Sequence, residues 1–228
     1  MTKTSLAEIE SSVYSQNGED GILEYLSGEQ KTGTIVEMGA GGGHKNNSRR
    51  LLEAGWTGAL FENEKRRVEK LKRRWPRCAI AETVSESTSP RFWYPDVFSL
   101  DIDSYDFWIA ASLLKRGFRP RIAVLEYNAA IDPSSATVPL DAKCEPRFIY
   151  FGCSLAAWKK LWSAYGYRFV TVCSAGINAF FVDDSVPQSR LDAVEWLAWA
   201  DCESIARRFG SHEERHALLA GRDLVIVE

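Results

Sequence analysis

The stretch Gly33-Thr-Ile-Val-Glu-Met-Gly-Ala-Gly-Gly-Gly-His44 decides how this chain is read. Residues 34–38 form a short apolar run that ends in a glycine-rich turn. Glycine lacks a Cβ, admits positive φ and lets a ligand come close to the backbone. Residues 46–54 continue as a predicted helix, with Asn46, Asn47 or Ser48 as its N-cap. Strand, glycine-rich turn and helix make the opening unit of doubly wound α/β folds. A second predicted strand, Ala59-Leu-Phe-Glu62, follows Gly55-Trp-Thr-Gly58 and ends in an acid. An acid roughly 20 residues past the glycines is placed to accept both hydroxyl protons of a ribose.

The spacing here is Gly39-x-Gly41-x-Gly43 preceded by Glu37. It is not the G-x-G-x-x-G that suits a pyrophosphate over a helix N-terminus. An acid inside the strand followed by G-x-G resembles the first motif of methyltransferases that use S-adenosyl-L-methionine (SAM). SAM has no phosphate to cradle, but carries a cationic amino acid tail and a sulfonium, and an acid near the turn suits both. Glu37, Gly39, Gly41 and Glu62 are the expected cofactor-binding residues. His44, just past the turn, is a candidate general base because an imidazole titrates near neutrality.

Composition narrows the classes. A length of 228 residues suits one α/β domain with decoration, and 45% apolar residues suffice for a core. A net charge of −3 argues against general nucleic-acid binding. The cysteines at 78, 144, 153, 173 and 202 are odd in number, scattered and without C-x-x-C pairs, which suggests reduced thiols in a cytoplasm. No leader-like stretch and no apolar run near ~18 residues is present, so neither secretion nor membrane insertion is expected.

Further along, residues 79–84 read as a third strand, whose Thr83 would lie beside an adenine. Residues 97–103 read as a fourth, closing in Asp101-Ile-Asp103. Residues i and i+2 of an extended chain point the same way, so the two acids converge at a strand's carboxyl end, where ligands bind in open sheets. A fifth strand, 122–125, ends in Glu126-Tyr-Asn128. Asp101, Asp103, Glu126 and Asn128 are therefore expected to share a site of oxygen ligands suited to Mg²⁺, Mn²⁺ or Ca²⁺. Some of these acids serve equally well as helix caps or cofactor contacts.

Residues 65–77 carry eight Lys and Arg around a stripe of Val68, Leu71 and Trp75, an amphipathic helix. It reads as a solvated outer face, or as a contact for an anionic, nucleotide-linked or phosphorylated acceptor. Residues 129–152, with Pro133, Pro139 and Pro146 and the closing Phe148-Ile-Tyr-Phe151, form a long connection and the candidate acceptor wall. A helix over 154–165 and an antiparallel pair, 167–173 and 178–182, complete a domain over 1–186. Residues 187–228 form a helical extension packed on the same domain, with one helix over 191–209 carrying Trp196 and Trp199. Packing, covering the site and a homodimer contact remain open for it.

A wider resemblance rests on several short motifs in order: Ser15-Gln16-Asn17-Gly18-Glu19-Asp20, Val36-Glu37-Met38-Gly39, Asn47-Ser48, Gly55-Trp56-Thr57-Gly58, Asp101-Ile102-Asp103, Glu126-Tyr127-Asn128, Tyr150-Phe-Gly-Cys-Ser154, Gly166-Tyr167 and Asn178-Ala-Phe-Phe-Val182. Over about residues 14–183 the chain resembles the FkbM-type SAM-dependent methyltransferases. That resemblance implies a Rossmann-like class I fold, a mostly parallel seven-stranded sheet with helices on both faces. It also implies SAM as methyl donor and a hydroxyl on a saccharide or other small metabolite as acceptor. Gln16 and Asn47 are placed near the cofactor through it alone. Relatives often carry an acid in the glycine turn where this chain has Gly42 and Gly43, so a more open loop is expected.

Two other classes compete. Asp101-Ile-Asp103 also fits the D-x-D of a metal-dependent glycosyltransferase holding a nucleotide sugar, although such enzymes do not need the early glycine turn. A non-catalytic SAM-binding protein is the third. His212-Glu-Glu-Arg-His216 matches the H-E-x-x-H of zinc proteases, but Leu219 and Arg222 stand where an extended motif wants Gly and His. Ser211 as an N-cap explains that stretch without zinc.

Overall fold

The computed structural model describes residues 2–145, 147 and 149–228; Pro146 and Phe148 of the long connection lie outside the described residues. The frame is β1 (Thr34–Met38), β2 (Thr57–Glu62), β3 (Ala79–Ala81), β4 (Val97–Leu100), β5 (Ile122–Glu126), β6 (Arg168–Val172) and β7 (Asn178–Val182). They form one sheet in the order β3-β2-β1-β4-β5-β7-β6. β3 to β5 pair in parallel, with Val36 opposite Ala59 on one side and Phe98 on the other. β7 runs antiparallel to both β5 and β6.

Near-continuous apolar strands are the mark of a sheet covered on both faces, and the pleat of β1 shows it. Val36 and Met38 join one core with Phe98, Leu100, Leu125 and Phe181, whereas Ile35 joins the other with Leu60, Val124 and Phe180. Helices α4 (Asp106–Lys115) and α5 (Leu155–Ala164) cover the first face through Ile109, Leu113, Trp158 and Trp162. Helices α1 (Glu19–Ser27), α2 (Arg49–Glu53) and α3 (Lys65–Arg74) cover the second through Ile22, Leu26, Leu51 and Leu71. Strand order reverses between β1 and β4, and the crevice outside the strand ends at such a point is where ligands bind.

Several elements differ from expectation, each for a local reason. Helix α2 begins three residues late because Asn46, Asn47 and Ser48 all turn to Glu37: Asn46 Nδ2 donates to it at 2.7 Å, Asn47 N at 3.1 Å, and Ser48 Oγ also donates. The single helix expected over 191–209 is absent. The chain instead forms α6 (Gln188–Asp192), an extended passage and α7 (Glu203–Phe209). In between, Val194 and Glu195 pair in parallel with Thr4 and Ser5, while Val172 N donates to Leu197 O along the free edge of β6. Edge-strand hydrogen bonds thus displace helical ones here.

The extension lies against the domain. Helix α8 (His212–Leu218) starts from Ser211, whose hydroxyl accepts from Glu214 N while Glu214 returns a bond to Ser211 N. This is the cap that the sequence suggests, and His212 Nε2 contacts the Ala129 carbonyl oxygen at 2.9 Å. Val225 and Ile226 pair with Thr137 and Ala136. Arg215, fully buried, donates through both terminal nitrogens to Asp201. No helix among the described residues is long and apolar enough to cross a membrane, and all five cysteines are free.

Removing one partner of a buried ion pair leaves the other charge uncompensated. Asp201→Ala is expected to destabilise the protein by about 3 kcal/mol, a fall in Tm of roughly 6–12 °C in a thermal melt, while Asp192→Ala on exposed α6 leaves Tm unchanged.

Candidate active site

One cleft of about 1000 Å³ opens at the carboxyl ends of β1, β2, β4 and β5. Gln16, Glu37, Gly39, Gly41, His44, Asn47, Glu62, Thr83, Asp101, Asp103 and Glu126 all line it. The sequence places these eleven together correctly; their roles differ in detail.

The glycine turn is fixed from both sides. Gly39 and Ala40 donate their N–H groups to Phe61 O at the end of β2, and Asp101 N donates to Met38 O at 3.0 Å. Gly39 has φ +90°, and a Cβ there would lie 1.7 Å from the Asp101 carbonyl oxygen. Gly41 has φ +57°, but its Cβ position meets nothing within 4 Å, an open cradle facing the cleft. Glu37 lines the cleft while binding Asn46, Asn47 and Ser48, so its carboxylate holds the turn to α2. Asn47 Nδ2 adds a bond to Ser99 on β4 at 3.1 Å. Burial pushes the Glu37 carboxyl upward, and those donors pull against it.

Glu62 is nearly buried, and one oxygen, Oε1, accepts from Asn63 N and Glu64 N at 2.9 and 2.8 Å. Its Oε2 has Arg67 Nη1 at 3.9 Å as its cationic neighbour. A pinned carboxylate with one oxygen left for a ligand fits the ribose of SAM, and the open Gly41 cradle fits the rest of its chain.

At the ends of β4 and β5, Asp101, Asp103 and Glu126 each present an oxygen within 4.8 Å of the others. Their convergence does not come from the pleat, as i and i+2 would give. β4 ends at Leu100, and Asp103 lies in the left-handed region at φ +54°. The turn is shaped by Asp106, a residue that sequence reasoning missed: its carboxylate accepts from Ile102 N at 2.9 Å and Ser104 N at 3.0 Å. An acid in the first turn of a predicted helix was the available signal.

Burial, then the charge of Asp103, pushes Asp101 up to about 7. Glu126 is driven upward by burial and by Asp101. Asp106 is raised to about 6, chiefly by burial. Asp103 is raised by partial burial, against the pull of Arg67. Two buried carboxyls side by side disfavour a second charge, which is why both are pushed upward.

Asn128 does not join them. Its Nδ2 donates to Ile149 O and Phe151 O, its Oδ1 accepts from Ala130 N, and it does not line the cleft. It is buried among backbone groups and organises the 129–152 connection, so the expected fourth metal ligand is missing. The acceptor wall expected from that connection is also displaced: none of its described residues lines the cleft. Ala130, Ile131, Val138 and Ile149 pack instead into a small core. The wall is made by Ser104, Tyr105, Ile177, Asn178 and, from the extension, Ser204. Glu19 was read from sequence only as a helix-end charge. It is buried and binds Asn17 and Asn178, tying the Gln16 loop to β7.

The strand order and the mostly parallel seven-stranded sheet are those of the α/β, Rossmann-like class I methyltransferase fold. No protein-family model matches the chain, and no curated protein matches it by sequence. Solved structures are similar to it. A TehB-like SAM-dependent methyltransferase from Corynebacterium glutamicum matches over 78% of this chain and 92% of its own, at 12% identity and a TM-score of 0.49. Streptomyces venezuelae DesVI matches over 72% and 90%, at 8% identity and 0.48. The O-methyltransferase NcsB1 of neocarzinostatin biosynthesis, in complex with S-adenosyl-L-homocysteine, matches over 72% and 52%, at 16% identity and 0.44.

An acid whose pKa is raised in the fold loses stability as pH climbs from its unfolded value to its folded one. For Asp101 that window runs from 3.8 to about 7. Asp101→Asn is expected to match the wild type in Tm near pH 4 and to exceed it progressively up to pH 8, by about 2–4 °C per kcal/mol of relieved repulsion. A Tm difference independent of pH would contradict this.

Proposed function

We propose that this chain is a SAM-dependent O-methyltransferase of the FkbM type, acting on a hydroxyl of a small molecule, a saccharide or glycan precursor. The observation that carries the reading is the meeting, in one cleft, of an open glycine cradle, a half-engaged strand-end acid and a close cluster of carboxyls. SAM supplies an activated methyl group on a sulfonium. Gly41 would give its chain room, Gly39 lets the acid-bearing turn pass beside it, Glu62 would hold the ribose and Thr83 would flank the adenine, with Gln16 and Asn47 beside them in the cleft. Glu37 acts through the turn that it fixes.

The protein's remaining task is to align a hydroxyl and take its proton. Positioning can supply a large share of the acceleration in such an in-line displacement. Asp101 is the base: its carboxyl stands at the strand end, raised by burial and then by its acidic neighbours toward neutral pH, where a base works best. Glu126 beside it disfavours a second charge in the cluster. His44, exposed on the turn, is the reserve base.

A second reading assigns the same three acids to Mg²⁺ or Mn²⁺, since each offers an oxygen within 4.8 Å of the others and a cation would relieve their repulsion. Activity that survives EDTA supports Asp101 acting alone; activity lost in EDTA and restored by Mn²⁺ supports the cation.

Calorimetric titration with S-adenosylhomocysteine, NAD and UDP-sugars tests the cofactor. S-Adenosylhomocysteine is expected to bind, and Glu62→Ala to weaken it by about 10- to 100-fold, the loss of hydrogen bonds to a charged group. Nucleotide-sugar binding with Mn²⁺ and none of S-adenosylhomocysteine would establish the glycosyltransferase instead. With an acceptor in hand, Asp101→Asn is expected to lower kcat by about 10²- to 10⁴-fold with unchanged S-adenosylhomocysteine affinity. Unchanged turnover would remove Asp101 as the base and pass that role to His44; no turnover with any acceptor would leave a cofactor-binding role only.

A further inference from the structure

The carboxyls of the cleft and its turns fall into two sets. Glu37, Glu62 and Asp106 accept backbone N–H groups, and Glu82 accepts from the Thr88 hydroxyl at 2.8 Å. Asp101, Asp103 and Glu126 receive no such donor among the described residues, and Asp101 and Glu126 bond only to each other. Arg67, whose charge Asp103 feels, forms its ion pairs with Glu62 and Glu64.

A fourth oxygen stands with them. Asn178 on β7 lies directly opposite Glu126 on β5. The next pair along carries the ladder bond, from Tyr127 N to Ile177 O at 2.9 Å, while the N–H and C=O of Asn178 both face Cys173 on the far side. Glu126 and Asn178 are thus a non-hydrogen-bonded pair, whose side chains leave the same face of the sheet with Cβ atoms about 5 Å apart. Asn178 is 3% exposed and lines the cleft. Its Nδ2 donates to Glu19 Oε1 at 2.8 Å, so the carboxamide cannot turn over without setting its oxygen against a carboxylate. Oδ1 is left buried with no partner among the described residues.

The protein has therefore gathered oxygen without any donor: three carboxyls within 4.8 Å of one another and one amide oxygen beside them. A buried acceptor without a donor is costly, and so is a group of like charges. One positive partner relieves both. The closed position of Asn178 Oδ1 favours a bare ion over an ammonium carried on a substrate. Carboxylate and amide oxygens suit Mg²⁺ and Mn²⁺, and ligands about 2.1 Å from such an ion stand about 3 to 4 Å apart, close to the present spread.

We infer that Asp101, Asp103, Glu126 and Asn178 bind one divalent cation of the Mg²⁺ or Mn²⁺ kind, with Asn178, not Asn128, as the fourth ligand and Glu19 as the group that orients it. An outer carboxylate that fixes a ligand's orientation is a regular part of metal sites. Each acid gives one oxygen to the ion, so Asp101 keeps its second for a hydroxyl proton. The inference deepens the cation reading of these acids and does not depend on the cofactor.

The full chain, stripped of metal with EDTA and dialysed, is titrated calorimetrically with Mn²⁺, with and without S-adenosylhomocysteine. The wild type is compared with Asn178→Leu, which removes the oxygen, with Asp103→Asn on the exposed side of the cluster, and with Glu82→Gln, an acid of the same cleft that is bonded elsewhere. Mn²⁺ is expected to bind the wild type and Glu82→Gln alike, and to lose about tenfold or more in the other two. Because Asn178→Leu also gives up the Glu19 bond, a second measurement uses no variant: in nitrogen-15-labelled wild type, Mg²⁺ is expected to shift the Asn178 side-chain amide signal in a saturable manner. Absent Mn²⁺ binding in the wild type, or equal weakening in Glu82→Gln, overturns the inference. Full-strength binding in Asn178→Leu, or an Asn178 signal that ignores Mg²⁺, overturns the fourth ligand. Mn²⁺ binding with the expected dependences in a chain that never binds S-adenosylhomocysteine sinks the methyltransferase reading and leaves the cation site standing. S-Adenosylhomocysteine binding without Mn²⁺ binding does the reverse.

Discussion

The site depends on one close approach. At Gly39 the space of a side chain is taken by the carbonyl oxygen of Asp101, 1.7 Å from where a Cβ would be. β1 and β4 are neighbours at the reversal of strand order, and their exits must pass each other there. Only a residue without a Cβ, at φ +90°, lets them do so. That passage joins the two halves of the cleft. The glycine turn and the turn that carries the acids are held in register by Asp101 N on Met38 O.

Around this passage the protein gathers carboxyl groups at an energetic cost and offsets it selectively. Glu37 and Asp106 are buried, yet each accepts backbone N–H bonds that fix a turn, Asn47 for the first and Ile102 and Ser104 for the second. Glu62 is treated in the same way through Asn63 and Glu64, but keeps an oxygen toward the cleft. Asp101 and Glu126 receive no such compensation, and burial and mutual repulsion push both upward. Uncompensated charge is tolerated where chemistry needs a group that titrates near neutrality. The contrast separates carboxyls that build the turns from those left free at the cleft.

Much of this was legible in the chain because it is local. The glycine turn, the strand-end acids and the strand–helix alternation are short-range patterns with fixed spacing, and the sheet and nine of the eleven cleft residues follow from them; Gln16 and Asn47 came from the family resemblance alone. Asn128 misled because an Asn two residues beyond Glu126 looks like a ligand, whereas its partners, Ile149 and Phe151, are over twenty residues away. The 191–209 segment misled because its helical pattern competes with edge bonds to β6 and with a strand pair to Thr4 and Ser5, which no window of sequence contains. Ser204 was invisible for the same reason. The D-x-D convergence was read correctly in outcome and wrongly in cause: a left-handed Asp103 held by Asp106, not the pleat of a strand, brings the acids together.

The extension contributes Ser204 to the cleft, and its anchors are distant in sequence: Val194 with Thr4, Ala200 O with the Tyr127 hydroxyl, Val225 with Thr137. Contacts of such separation close large loops and form slowly. The order of assembly follows. A chain emerging from the ribosome can complete the glycine turn, Glu62 and the acids from sequence already made, but the Ser204 side of the cleft stays open until residues 187–228 have been made and dock. During that interval the cleft has its glycine turn and its acids but lacks one wall, so a late docking step is also the step that gives the cleft its shape.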